Sequence, residues 1–356
     1  MIPTKVGFVL LSNSSSPIPS TRISVLNMFP FLRDANFDPH IVFEPKDAEE
    51  RPDLTGLYPR ILLEGFHIIY FQKTHGRSAE TLAKQLSEAG IKTIYGVCDL
   101  VDEGMAEATD TTIVVTDYLK SLYPQTLHSK LRVVHDGIEH SGKYRSDYDI
   151  NHGSCVDSLH AILVTSSSLD HLPVLDVIPE WLKITIVGRY PQQIVQRFRS
   201  AYWQLKCRNG FTQRMSYLRF LTNPNIRCIG WDPIGVYEAM GQADIGIIPI
   251  QTSVGHELDK FPPAWKVKSE NRLTMKMCFG LPVIATPIPS YEPIIVQGKN
   301  GFLANNRQEW IDYLDALRDV KLRKNIGECA RQYVLEKFSM EEQARLLIDV
   351  FRDLLV

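Results

Sequence analysis

The chain has 356 residues, 44% of them apolar, and its 39 Lys and Arg against 41 Asp and Glu give a formal net charge of −2. This composition excludes disordered and fibrous classes, and at about 150 residues per domain the length predicts two domains. Without a global excess of positive charge we expect no nucleic-acid partner, so any site for an anion must be local.

The cysteines and the apolar runs bear on the compartment. The six cysteines are isolated, without CxxC spacing, which is typical of reduced thiols and predicts a cytoplasmic protein. The apolar run 6–11 is too short for a signal peptide, and no stretch of about 18 apolar residues encodes a membrane span. Any membrane contact is therefore expected to be peripheral, at the inner membrane face.

The first half alternates short apolar, β-branched runs with helical stretches, which predicts a parallel sheet with crossover helices. Strands of such a sheet are buried on both faces, so they appear as continuous apolar runs. Helices are expected over 21–34, 79–89 and 118–122. The predicted strands are 6–11, 40–43, 67–71, 92–97, 111–115 and 131–134.

Polar sequence over 139–158 predicts a linker, after which the alternation restarts. We expect an N-terminal domain over 1–150 and a C-terminal domain over 158–338. The fold class is α/β, with two Rossmann-like, doubly wound parallel sheets facing across a cleft where ligands bind at the carboxyl ends of strands. Segment 252–267 should be a long loop, and 340–356 an amphipathic helix. The second set of strands is 161–165, 184–187, 226–229, 245–248, 281–285 and 301–303.

The segment 266–287 is the most informative for chemistry. It predicts a helix that starts near Ser269, is capped by that hydroxyl and leads into a buried strand. The free N–H groups of its first turn, with Lys268 and Arg272 beside them, could hold a phosphate. Alternatively, Ser269 is only a cap and both cations are solvated.

Motifs of the second half follow one another in a recognisable order. A helix is followed by a GxPVIAT sequence, then by a Glu and an NGFL turn. A strand-helix-strand over 229–249 precedes them, and a further motif, VVHDGI at 133–138, lies in the first half of the chain. In this order and spacing the chain resembles nucleotide-sugar glycosyltransferases of the GT-B type, especially family 4. The resemblance covers 226–303 well and the first 140 residues loosely. The matching residues are Gly280, Pro282, Val283, Ile284, Ala285, Thr286, Glu292, Asn300, Gly301, Phe302 and Leu303.

The sequence departs from that family at two places. Met275 and Val267 occupy the positions of its usual pair of Glu, and 165–171 lacks the usual phosphate-clamping Arg and Lys. The run Asn271, Arg272, Leu273 resembles a variant with a cation at the helix start. The resemblance therefore implies that Arg272, Asn271 and Lys268 contact the donor diphosphate and that Glu292 contacts the donor. It also implies a C-terminal helix packing back on the first domain.

Two further sets of residues follow predicted strands of the second domain. Gly188 and Arg189 could bring a guanidinium to the donor, and Trp231 could stack on a nucleobase. The alternative for Trp231 is an aromatic ring that covers a loop.

Polar residues also follow strands of the first domain. Ser20 and Arg22, after the first strand, could contact donor phosphate or acceptor hydroxyls; alternatively, they belong to a capped helix with a solvated Arg22. His75 and Asp99 follow later strands and are candidates for catalysis. A buried Asp99 with a raised pKa could accept a proton from a sugar hydroxyl, or it could cap the next helix.

The segment 191–221 contains six basic and no acidic residues, with aromatic residues between them. Such a stretch can lie on an anionic membrane. We favour the alternative, a helix with an aromatic stripe facing the core and a solvated basic face.

These observations predict a glycosyltransferase that moves a sugar from a nucleotide-diphosphate donor to a carbohydrate or lipid-linked acceptor. The resemblance implies retention at the anomeric carbon. No metal or other cofactor is expected, because no DxD-like pair follows a strand and the cations with a helix N-terminus can neutralise the diphosphate. The alternatives are a catalytically silent GT-B subunit of another glycosyltransferase, favoured by the missing Glu pair, and a sugar-nucleotide epimerase.

Overall fold

The computed structural model describes residues 3–144, 158–175, 178–252 and 262–356. The chain divides into two compact units. The first unit contains 1–139, 255–271 and 336–356, and the second unit contains 140–254 and 272–335. The described residues 262–271 thus group with the first unit, although the sequence predicted them in the C-terminal domain.

The first unit is built on a six-stranded parallel sheet of order β2-β1-β3-β4-β5-β6. Strands β3 and β5 are buried along their whole length, as expected of strands with both faces covered. The strands are β1 (Thr4–Val9), β2 (Phe37–Phe43), β3 (Ile68–Gln72), β4 (Lys92–Val97), β5 (Thr111–Val114) and β6 (Leu131–Val133).

Helices connect these strands. The single helix predicted over 21–34 is instead two helices with a 3-10 turn between them, because Pro30 lacks an N–H and sits in the first turn of the second helix. The helices are α1 (Pro19–Ser24), α2 (Phe29–Asp34), α3 (Leu57–Glu64), α4 (Arg77–Glu88), α5 (Glu103–Ala108) and α6 (Asp117–Ser121).

Helix α13 (Met340–Leu355) belongs to the first unit. It begins after Ser339, whose hydroxyl accepts a hydrogen bond from the N–H of Glu342 at 3.3 Å. Its apolar face packs into the core formed with β1 and β3, and the Phe351 ring meets the Phe37 ring at 5.5 Å between centroids. The C-terminal helix therefore completes the core of the N-terminal sheet.

The second unit contains another six-stranded parallel sheet, of order β12-β11-β10-β7-β8-β9. Two doubly wound sheets confirm the predicted fold class. The strands are β7 (Leu159–Val164), β8 (Leu182–Gly188), β9 (Ile226–Gly230), β10 (Ile245–Ile248), β11 (Val283–Ala285) and β12 (Phe302–Leu303). The helices are α7 (Ile194–Cys207), α8 (Phe211–Thr222), α9 (Gly235–Gly241), α10 (Asn271–Cys278), α11 (Arg307–Ala316) and α12 (Val320–Phe338).

The strand order reverses once in each sheet. The reversal lies between β1 and β3 in the first unit and between β7 and β10 in the second. In open α/β sheets such a switch point, at the carboxyl ends of the strands, is where ligands bind.

Candidate functional sites

Three predicted donor residues converge at the carboxyl edge of the second unit. A Cβ on Gly188 would stand 2.4 Å from the carbonyl oxygen of Ser167, so only glycine lets the loop after β7 approach β8 this closely. The N–H of Arg189 donates to Ser167 O at 3.2 Å, and the N–H of Trp231 donates to Gly188 O at 2.8 Å. Both side chains are exposed. The edge thus presents a guanidinium and an indole beside a close backbone approach.

Arg272 reaches the same loop from α10. Its Nη2 donates to the Ser166 hydroxyl at 2.7 Å. Because Arg272 is half-buried in the first turn of the helix, its guanidinium and the Ser166 hydroxyl form one polar group at the N-terminal end of α10. This local arrangement can bind an anion.

The predicted helix start needs correction. The helix begins at Asn271, so Glu270 rather than Ser269 precedes its first turn. The Ser269 hydroxyl hydrogen-bonds to the Asp136 carboxyl group. Lys268 and Asn271 are half-buried and, like Ser269, group with the first unit, whereas Arg272 belongs to the second.

Glu292 stands apart from the other donor candidates. It is exposed in a turn after β11, and its backbone N–H donates to Ile288 O at 3.1 Å. Among the residues that the structure describes, its carboxylate has no hydrogen bond or ion pair.

Lys276 is a titratable residue of α10 that the sequence analysis missed. Its side chain is fully buried, and burial, together with the neighbouring Arg272 charge, lowers its pKa to about 7. Its Nζ donates to the backbone carbonyl of Arg272 at 2.9 Å. The stem passes Gly246, where an added Cβ would stand 2.6 Å from the Lys276 Cδ. Its spacing from Leu273 and Met277, which are also buried, could have identified it as a core position.

A hydrogen-bond network occupies the switch point of the first unit. Gln72 at the end of β3 accepts from the Thr21 hydroxyl at 3.0 Å and contacts the Ser20 hydroxyl at 3.5 Å. Arg22 makes a bidentate ion pair with Glu139, with N–O distances of 2.7 and 2.9 Å. The alternative of a capped helix with a solvated Arg22 is therefore wrong, since α1 also has no side-chain cap.

His75 is buried at 5% exposure and lies 2.9 Å from Asp102, between its Nδ1 and Oδ2. Asp102 also accepts from the N–H of Met105 at 2.8 Å and caps α5. Glu50 approaches the other ring nitrogen of His75 at 3.8 Å. A carboxylate that orients an imidazole in this way can support proton transfer.

Asp99 is not buried, so the prediction of a buried Asp99 is wrong. Its side chain is 50% exposed and its Oδ1 lies 2.6 Å from Nζ of Lys73. Lys73 is itself buried, with a φ of 53°. Burial works against the charged ammonium, but Cys98, Asp99 and Glu50 raise the pKa of Lys73. The next helix is capped by Asp102, so the capping alternative for Asp99 is wrong as well.

Asp136 is a buried acid of the first unit, and in the sequence it belongs only to a motif of the fold. Burial, and next the Glu270 charge, raise its pKa to about 7. Glu270 is 1% exposed, and its Oε1 lies 3.0 Å from Nδ1 of His135. Within the described residues, Asp136 Oδ1 and Glu270 Oε2 are buried without a hydrogen-bond partner. Asp136 can therefore hold or release a proton near neutral pH.

The described ranges contain no group of three or more His, Cys, Asp or Glu side chains arranged to hold a metal ion. None of the described helices is long and apolar enough to cross a membrane.

No family model and no curated protein matches the chain by sequence. Solved structures do match its fold, and one of them is a glycosyltransferase from Rickettsia africae ESF-5. It has a TM-score of 0.70 at 14% identity and covers 99% of both chains. Alr3699/HepE of Anabaena, in complex with UDP-glucose, has a TM-score of 0.64 at 12% identity and covers 98% of this chain and 99% of that one. Sucrose-phosphate synthase of Thermosynechococcus elongatus has a TM-score of 0.65 at 13% identity and covers 99% of both chains. The chain therefore has the fold of GT-B glycosyltransferases.

Proposed function

We propose that this protein is a glycosyltransferase that moves a sugar from a nucleotide-diphosphate donor to a carbohydrate or lipid-linked acceptor. The observation that carries the proposal is the polar edge of the second unit, where Gly188, Trp231 and the Arg272–Ser166 pair lie at the ends of adjacent elements. The fold supports it, because one matching structure is a glycosyltransferase and another binds UDP-glucose.

In this proposal the second unit binds the donor. The nucleobase stacks on Trp231 beside the backbone of Gly188, and Arg189 is the nearby cation. The diphosphate binds Arg272 beside the Ser166 hydroxyl, and Glu292 binds donor hydroxyls. Arginine suits the diphosphate because its planar guanidinium can contact two phosphate oxygens at once.

The leaving diphosphate develops negative charge as the glycosidic bond breaks. Arg272 and the N-terminal end of α10 can stabilise that charge electrostatically, so the proposal includes metal-independent transfer. Lys276 is too deeply buried to touch phosphate. Retention at the anomeric carbon, which the sequence resemblance implies, is the proposed stereochemical outcome.

The first unit supplies the acceptor side. Of the two predicted proton acceptors, we favour His75 as the general base, because Asp102 orients its ring. Asp99 instead neutralises Lys73. Ser20 is available for acceptor hydroxyls, whereas the charge of Arg22 is already matched by Glu139.

Calorimetric titration with UDP, or with the other nucleoside diphosphates if UDP does not bind, tests the donor site. Arg272→Ala should weaken binding roughly ten- to hundredfold, which corresponds to the loss of one charged hydrogen bond. Even Arg272→Lys should weaken it. Arg307→Ala, on an exposed residue at the start of α11, is the matched control. Unchanged affinity in the Arg272 variants would refute this placement.

Turnover assays separate the proposal from its alternatives. Consumption of a nucleotide sugar only when an acceptor is present supports a transferase. Conversion of the sugar without an acceptor would instead identify an epimerase, and binding without any turnover would identify a silent subunit.

A further inference from the structure

The helices α7 and α8 carry apolar side chains that the protein does not bury. None of the residues of α7, all of which the structure describes, is buried. Phe198, Tyr202 and Trp203 are 72%, 63% and 59% exposed. The prediction of an aromatic stripe that faces the core is therefore wrong for α7. In α8 it is correct for Tyr217 and Phe220, which are buried.

The inner side of α7 explains this exposure. Arg197, Ala201 and Gln204 follow one another at helical spacing and line a cavity of about 360 Å³ above β9. Because this side faces a cavity, the helix has little apolar contact to hold its aromatic residues inward. The opposite side, with Val195, Arg199, Tyr202 and Lys206 at helical spacing, faces solvent.

The same segment is strongly cationic. Residues 191–221 contain six basic side chains and no acid. Arg208 pairs with Asp170 and lies over the Tyr217 ring. Within the described ranges, the other five basic residues have no acidic partner; they are Arg197, Arg199, Lys206, Arg214 and Arg219. In a chain of net charge −2, this cluster is a local departure from neutrality.

We propose that the α7–α8 surface, meaning the exposed side chains of 194–221, docks on the surface of an anionic lipid bilayer. Basic residues attract the negatively charged headgroups, while aromatic and aliphatic residues enter the boundary between headgroups and acyl chains. Lys206 Nζ lies 5.3 Å from the centroid of the Trp203 ring. When that ring enters the boundary of the bilayer, the Lys206 charge can stay at headgroup level.

The apolar residues favour a bilayer over a nucleic acid. Aromatic rings can stack on unpaired bases, but the aliphatic Ile194 and Val195, which are 69% and 60% exposed, gain nothing from stacking. Leu218 and Leu221 of α8 are likewise exposed, at 37% and 43%. A membrane interface buries both aromatic and aliphatic side chains and still leaves the cations in water.

Vesicle flotation of the full chain, without any nucleotide, tests this surface independently of catalysis. The protein should float with vesicles of equal parts phosphatidylglycerol and phosphatidylcholine, and much less with phosphatidylcholine alone. The variant Arg199→Glu with Lys206→Glu should bind the anionic vesicles roughly 30-fold or more weakly, since each basic residue near the surface contributes about a factor of five. The variant Phe198→Ser with Tyr202→Ser should also bind more weakly.

The matched control reverses two exposed helical lysines elsewhere, Lys84→Glu with Lys321→Glu, and gives the same change in net charge. It should bind the vesicles nearly as the unmodified chain does. Equal loss of binding in the control variant, or no flotation of the unmodified chain, would overturn the proposal. Tighter binding to oligouridine than to the anionic vesicles would also overturn it and would assign the surface to nucleic acid.

Discussion

The two units have similar sheets, and each buries a titratable group whose pKa is shifted in the opposite direction from that in the other unit. The first unit buries Asp136 beside Glu270, and the pKa of Asp136 rises to about 7. The second unit buries Lys276 beneath Arg272, and its pKa falls to about 7. In both cases burial is the largest cause, because it disfavours the charged form. The comparison teaches that burial brings an acid and a lysine towards the same neutral pKa from opposite sides.

Lys276→Met gives the largest expected effect on stability. In the unmodified chain, the lowered pKa makes stability rise with pH between about 7 and 10.5, because the unfolded chain binds more protons there. The variant should therefore be more stable below pH 7, by at most about 5 kcal/mol, and lose this advantage towards pH 10.5. Urea denaturation at several pH values in this range measures the difference in the free energy of unfolding. Lys321→Met, on an exposed position of α12, should show no such slope.

Asp136→Asn should show the opposite slope. Because the pKa of Asp136 is raised from 3.8 to about 7, the folded chain binds more protons in that window and loses stability as pH rises through it. The gain of the variant over the unmodified chain should grow between pH 4 and 7, to at most about 4 kcal/mol, and then level off. Thermal unfolding of both proteins follows this difference. Asp47→Asn, at an exposed loop position, is the control, and a pH-independent difference for Asp136→Asn would contradict its burial as an acid.

His75→Ala tests whether the first unit handles the acceptor proton. If His75 is the base, turnover should fall by about 100-fold or more while UDP affinity stays nearly unchanged. Steady-state kinetics with calorimetry on the same variant separates the two effects. Activity that survives in both His75→Ala and Asp99→Asn would remove both residues from the mechanism.

Gly246→Ala examines how the second unit accommodates its lysine. The added Cβ would meet Lys276 at Cδ and Cβ, at 2.6 and 3.3 Å, and Val283 at 3.2 Å, so the packing must shift. We expect a loss of about 1 to 3 kcal/mol in urea denaturation. Gly142→Ala, where an added Cβ meets no atom within 4 Å, should cost much less. Equal stability of both variants would show that the lysine stem is not tightly enclosed.

The strands were the most predictable part of this chain. Every predicted strand corresponds to an observed one, and 92–97 and 245–248 have the observed bounds. Continuous apolar runs between turn residues leave few other structures open to them. Helices were less predictable: α3 and α5 were missed, because they are only eight and six residues long, too short to show a clear helical period.

The candidate site was predictable only in part. The edge residues Gly188, Arg189, Trp231 and Arg272 were identified because each follows a strand or begins a helix. The sequence could not show which aspartate is buried, since that depends on the segment bearing Glu270, which is distant in sequence from Asp136. It could not show that α7 leaves its aromatic residues exposed either, because that depends on the cavity beneath the helix.

The contribution of α13 to the first sheet has a consequence for synthesis on the ribosome. Residues 336–356 belong to the first unit, although they are translated after every residue of the second unit. The nascent first unit therefore exposes the apolar surface that Leu347 and Phe351 later cover, while residues 140–335 are still being translated. We therefore expect the second unit to complete its folding before the first unit does. A chaperone that recognises exposed apolar surface would then bind the nascent N-terminal sheet until α13 has emerged.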